Sequence, residues 1–292
     1  MFHALDIACH LNIHVPDTSM RGLPSALDAI ASEGYRRVVL PPLDPDGIDV
    51  AALREMFAVR GLVPITIAGQ HRHADVSSSE DDVRWAGVAE LRRTLDLTLA
   101  LGSDQMNGVP YGVFGQPAGP TDLSTFERSA AEVGKIADEA HDRGVRMTFE
   151  VLNRYETSVV NTASQAMDYV SASGSGNLWI HLDTFHMAIE EADMSAAIRT
   201  ALPRLGFLEL GQSGRGPLSS GAVDIAGIVR GALQDGYEGR WGIEAFSRRN
   251  LDTSAADMLS IWRDPYIDGN ATAADAAEIV RASWAANAKA GR

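Results

Sequence analysis

Apolar residues along this chain fall into short, largely unbroken runs, separated by longer stretches in which they recur every three or four positions. The runs lie at about 3–9, 36–41, 63–69, 105–109, 146–152, 178–183, 206–210 and 240–245. Runs of this length without polar alternation read as strands buried on both faces, as in a parallel sheet covered by helices. The intervening stretches carry one-sided stripes: Leu53, Met56 and Phe57; Val88, Leu91, Leu95 and Leu99; Phe126, Ala130, Val133 and Ala137. Such spacing predicts helices that turn one face to a core. Asp49 is placed to cap the first of them, and Ser124-Thr125-Phe126-Glu127 reads as a capping box for the third. Glycine followed at once by an apolar run closes several of these stretches, at Gly34-Tyr35, Gly61-Leu62, Gly102-Ser103, Gly144-Val145 and Gly236-Tyr237. A glycine there accepts the left-handed conformation that ends a helix, so each pair marks a helix-to-strand junction.

Eight strands alternating with helices, without a linker or low-complexity segment, predict one closed (β/α)8 TIM barrel over residues 1–292. The alanine-rich tail from Thr272 to Asn287 is expected to dock on it as a last helix. His71-Arg72-His73 and the segment Pro110 to Thr121 read as loops at strand C-termini, the functional face of such a barrel.

Charge and composition narrow the function. A formal net charge of -14 and no basic patch argue against a nucleic-acid partner. The lone cysteine, Cys9, excludes an internal disulfide framework and fits a reducing compartment. No apolar run reaches the ~20 residues a membrane helix needs, and the N-terminus lacks a basic leader region, so a cytoplasmic, soluble protein is expected.

The chemistry gathers at the ends of the last four strands. Glu150, Asp183, Glu209 and Glu244 each close one of them, at separations of 33, 26 and 35 residues, about one strand-helix unit apiece. One acid per unit at equivalent positions puts four carboxylates around one point, where mutual repulsion and desolvation oppose their ionisation. A divalent cation resolves the conflict, and all-oxygen ligation suits Mg²⁺ or Mn²⁺. His186 follows Asp183 by three residues, Arg215 lies shortly after the seventh strand, and Glu156 follows the fifth; alone, each is as well explained as a loop charge. Glu156 has Arg154 or Arg146 as alternative partners, and His181, inside the sixth strand, is expected to pack between barrel and helices.

Two blocks are more specific. Phe149-Glu150-Val151-Leu152-Asn153-Arg154-Tyr155-Glu156-Thr157 and Leu182-Asp183-Thr184-Phe185-His186-Met187-Ala188-Ile189-Glu190-Glu191 closely resemble the ketose 3-epimerases of the tagatose and psicose type, within the xylose isomerase-like sugar isomerase/epimerase superfamily. The resemblance runs more thinly through Val83-Arg84-Trp85-Ala86-Gly87, Arg215, Gly221 and Ile261-Trp262-Arg263-Asp264. It implies a metal-dependent epimerase acting on a sugar, with a divalent metal, Mn²⁺ first and Mg²⁺ or Co²⁺ next, held by Glu150, Asp183, Glu209 and Glu244. It implies also that Glu150 and Glu244 act as acid and base on opposite faces of the substrate, that Glu156, His186 and Arg215 hold it, and that the protein is a homo-oligomer, a dimer or tetramer.

The chain departs from that pattern around the seventh strand. Glu209 stands where the family carries histidine, and Gln212 where it usually carries glutamate. The first strand lacks the aromatic cluster that walls the family's sugar pocket; Cys9, His10 and Asn12 occupy that region. Two further readings therefore stand beside the epimerase: a lyase acting on a 3-keto-glycoside with a partner subunit, and a non-catalytic sugar-binding homologue.

Overall fold

The computed structural model describes residues 6–19 and 21–290, with side chains to residue 287. Eight parallel strands, β1 (Ile7–His10), β2 (Arg37–Val39), β3 (Val63–Ala68), β4 (Gln105–Gly108), β5 (Arg146–Val151), β6 (Leu178–Asp183), β7 (Leu205–Gly211) and β8 (Arg240–Glu244), follow one another in sequence order. β8 pairs back onto β1, with Cys9 opposite Ile243, and the barrel closes. The TIM barrel read from the apolar runs is thus the observed fold. The start of the first run, residues 3–5, lies outside the described residues.

Glycines 34, 61, 102, 144 and 236 sit at φ of 80°, 64°, 75°, 80° and 89°, the left-handed region in which a side chain would be strained. Asp49 caps its helix by accepting the Ala52 N–H at 2.9 Å. The capping box at Ser124 is corrected. The helix begins earlier, at Leu123, and Asp122 accepts the Thr125 N–H at 2.7 Å, while the Ser124 hydroxyl is turned back to Asp122 at 2.8 Å. Asp122 has the extended backbone that a cap requires, and Ser124 is already inside the first turn. The alanine-rich tail forms the helix Gly269–Ala290, and its Trp284 lies edge-on to Trp241 of β8 at 5.9 Å between ring centroids.

Strand alternation sorts the barrel interior into levels. At the N-terminal end Arg37 of β2 and Arg240 of β8 share Asp104, with N–H···O distances of 2.5 and 2.6 Å, and Arg240 also donates to Gln105. Above them Ala8, Val39, Ile65 and Phe207 form a small fully buried apolar layer. Above that layer the inward positions turn ionisable, with His10 on β1, Glu150 on β5, His181 and Asp183 on β6, Glu209 on β7 and Glu244 on β8. Gly242 makes room for two of these levels at once. A Cβ there would lie 2.5 Å from the Phe207 ring and 2.4 Å from Glu209 Oε1.

Candidate active site

The register of β5, β6 and β7 sets the centre. Glu150 is opposite His181, and Asp183 is opposite Glu209, so these four side chains occupy adjacent rungs of one face. His181 is therefore not packed between barrel and helices, as its sequence position had suggested. It shares a face with Asp183 because residues two apart on a strand point the same way, and its Nε2 lies 3.2 Å from Glu209 Oε2. Phe207 meets the His181 ring edge-on at 4.8 Å between centroids and fixes its plane.

His10, which the sequence set in the region of the sugar pocket without a role, also joins this centre. Its Nε2–H donates to Glu209 Oε1 at 2.8 Å, and its Nδ1 lies 3.8 Å from Glu244 Oε1. Glu209 thus lies between two imidazoles, hydrogen-bonded to the one from β1 and beside the one from β6.

His186, just beyond β6, is oriented differently. The Asn153 backbone N–H and side-chain amide both direct donors at His186 Nδ1, at 3.1 and 2.8 Å. Nδ1 is therefore the acceptor and Nε2 carries the proton, which faces Glu150 Oε1 at 3.4 Å and Asp183 Oδ2 at 3.6 Å. Asn153 also donates to Glu156 at 3.0 Å, so one amide anchors two candidate sugar-binding groups. Glu156 does not pair with Arg154 or Arg146; Arg154 is engaged instead by Glu190 at 2.8 Å.

Arg215 spans the mouth. Its guanidinium pairs directly with Glu244 and lies within 3.8 Å of Glu156 and 3.9 Å of Asp183. It stacks 3.7 Å above the Phe185 ring, with Phe246 on a second side at 5.1 Å. Its backbone φ of 56° is a left-handed conformation that a side-chain-bearing residue adopts only under constraint. Its backbone is held on both sides, the N–H donating to the Gln212 carbonyl and the carbonyl accepting the Phe246 N–H, each at 2.7 Å. The Gln212 side-chain amide orders the rest of the loop: it donates to the Leu218 and Val223 carbonyls and accepts from the Ser213 and Val223 N–H groups, all at 2.8–3.1 Å. Every hydrogen bond Gln212 makes thus goes to the backbone of its own loop.

The electrostatics call for a cation. Five carboxylates, Glu150, Glu156, Asp183, Glu209 and Glu244, gather here, and among the described residues the one guanidinium paired with any of them is that of Arg215, beside Glu156, Asp183 and Glu244. Asp183 Oδ2, Glu209 Oε2 and both ring nitrogens of His181 are buried without a hydrogen-bond partner among the described residues. Buried polar atoms left unsatisfied in this way are costly, and the carboxylates gathered around them suit a hard divalent ion. Burial raises the Asp183 carboxyl to about 6, against the lowering pull of His186 and Arg215. Burial also works to raise Glu209, but His10 and His181 hold it below the ordinary carboxylate range. Glu150 is likewise lowered, by His181 and His186 against its burial, and the same acids raise the His181 imidazole despite its own. Every residue nominated from sequence, Glu150, Glu156, Asp183, His186, Glu209, Arg215 and Glu244, is brought to this one mouth. Beside them opens a cleft of about 670 Å³, walled by Tyr155, Phe185, Ile189, Met258 and Trp262 and bordered by Arg215.

Residues 27–281 match the xylose isomerase-like TIM barrel family, and the chain belongs to it. Within that family it is 33% identical to the ketose 3-epimerase of Arthrobacter globiformis, over 95% of this chain and 96% of that one. A solved structure of L-ribulose 3-epimerase superimposes with a TM-score of 0.93 at 30% identity, covering 98% of this chain and 97% of that one. The D-allulose 3-epimerase of Methylomonas sp., solved in complex with D-allulose, superimposes at 0.91 with 31% identity, covering 96% and 97%. The chain is accordingly a carbohydrate epimerase of the ketose 3-epimerase type. No helix among the described residues is long and apolar enough to cross a membrane.

Proposed function

We propose that this protein inverts C3 of a ketose by proton transfer through an enediolate, with Glu150 and Glu244 as the acid–base pair. The observation that carries the reading is the placement of these two carboxylates. They come from β5 and β8, both reach the mouth, and each has its own partner: Glu150 lies 3.4 Å from His186 Nε2, and Glu244 pairs with Arg215. One removes the C3 proton from one face of the sugar, and the other delivers a proton to the opposite face. Glu156, His186 and Arg215 hold the sugar hydroxyls, tied together through Asn153 and the Arg215 guanidinium. Asp183 and Glu209, with Glu150 and Glu244, hold a divalent cation, Mn²⁺ first. That ion supplies Lewis-acid stabilisation for the negative charge that builds on the substrate's carbonyl oxygen.

The test is proton NMR in D₂O on D-allulose, D-tagatose and L-ribulose with the Mn²⁺-loaded enzyme, the metal being stripped before recording. Loss of the C3 proton signal with growth of the 3-epimer is expected. Glu150→Gln and Glu244→Gln should each abolish it while leaving the circular dichroism spectrum unchanged; turnover retained in both would remove the pair from the mechanism. The apolar outer cleft past Arg215 favours a second reading, a substituted keto-sugar such as a 3-keto-glycoside, and exchange with that substrate alone would move the assignment there.

A further inference from the structure

Three imidazoles surround the acidic centre, and their hydrogen bonds set them apart. His186 uses its Nδ1 lone pair to accept from Asn153, so the nitrogen it turns to Glu150 and Asp183 is a donor. His10 spends its Nε2–H on Glu209 Oε1, which leaves it outside that carboxylate as a buttress. His181 alone of the three has neither nitrogen hydrogen-bonded among the described residues, although the residue is 2% exposed. Glu209 Oε2, 3.2 Å from its Nε2, is also unengaged, and Glu209 is 1% exposed. Glu150, His181 and Glu209 each offer one donor atom within 4.8 Å of the others. Two ligands with bonds of ~2.1 Å lie at most about 4.2 Å apart across a common ion, and the 3.2 Å between His181 Nε2 and Glu209 Oε2 is within that limit.

We propose that His181 is the nitrogen ligand of the divalent cation, alongside the carboxylates of Glu150 and Glu209. β6 then contributes an imidazole beside the Asp183 carboxylate of the proposed function, while β7 contributes a carboxylate. His10 is a positioning residue: by occupying Glu209 Oε1 it turns Oε2 toward His181. The assignment rests on the cation of the proposed function, but not on which sugar is turned over.

The test is made on metal-substituted protein without substrate. Cu²⁺ is bound to the metal-free enzyme, and pulsed EPR is read for the modulation that an imidazole ligand produces through its remote nitrogen. Wild type should show it, His181→Gln should lose it, and the double variant H10Q/H186Q, in which His181 is the last of the three imidazoles, should keep it. Mn²⁺ affinity, titrated by the EPR signal of the free ion, should fall at least about 100-fold in H181Q and less than tenfold in H186Q. No imidazole modulation in wild type, or modulation lost in H10Q/H186Q, would overturn the assignment without reference to H181Q. So would modulation that persists in a folded H181Q. Because no sugar is present, a failure here is separate from a failure of the epimerase reading, which the exchange of the C3 proton decides.

Discussion

Gly242→Ala puts one methyl group into the point where the barrel's apolar layer meets its acidic one. The new carbon would lie 2.5 Å from the Phe207 ring and 2.4 Å from Glu209 Oε1. Ordinary carbon contacts begin near 3.5 Å, so the ring must retreat by about 1 Å. It has nowhere to go, because Ala8, Val39 and Ile65 around it are at most 1% exposed. Overpacking of this kind costs ~1–3 kcal/mol, from about fivefold to more than a hundredfold in the folding equilibrium. The displaced Glu209 also loses its alignment with His10 and His181, and disturbing groups that orient a ligand weakens metal binding by ~10–100-fold. Urea unfolding and Mn²⁺ titration on G242A measure the two effects independently. Relief by Phe207→Leu in the G242A background should restore part of the stability and little of the Mn²⁺ affinity, since the clash with Glu209 remains. A G242A protein within about 0.5 kcal/mol of wild type and with undiminished affinity would refute the argument that this glycine is required by close approach.

Asp122→Ala should cost ~1 kcal/mol in thermal or chemical unfolding and Ser124→Ala much less, the order expected when Asp122 is the cap; the reverse order would reinstate Ser124. Asp104 links stability to pH at the opposite end of the barrel. Burial raises its carboxyl, but hydrogen bonds from Arg37 and Arg240 bring it below its ordinary 3.8, so the folded state binds this proton more weakly than the unfolded state. Its stabilisation is complete above about pH 3.8 and is lost as pH falls through the lower folded value. Wild type should therefore lose stability more steeply than Asp104→Asn as pH is lowered from 5 to 3 (parallel curves would contradict this), although the half-exposed carboxylate keeps the difference small.

Much of this molecule was legible because strands buried on both faces leave a continuous apolar signature, and the glycines that end helices mark where each strand begins. The four acids at strand ends were legible for the same reason: one spacing unit per residue fixes their level in a closed barrel. His181 was misplaced although the information was present. Once Asp183 is assigned to the inward face, the residue two positions earlier must share it, and only the continuous apolar context of Leu178–Asp183 obscured the alternation. The sequence set His10 in the region of the sugar pocket but gave it no partner. Its partner is 199 residues away, and only closure of β8 onto β1 brings it level with Glu244. The cap at Asp122 was missed because Ser124 and Glu127 satisfied a motif whose backbone begins two residues too late.

The arginine–aspartate seal at the N-terminal end of the barrel has a kinetic consequence. Arg37, Asp104 and Arg240 close that end, and the apolar layer of Ala8, Val39, Ile65 and Phe207 lies above them, so among the described residues the route from solvent to His181 and Glu209 is the mouth that Glu156, His186 and Arg215 surround. Under the proposed function, ion and sugar share one doorway in a fixed order, the ion entering first and leaving last. Bound sugar becomes a lid on the ion, and a chelator should strip metal from the sugar-saturated protein more slowly than from the free one.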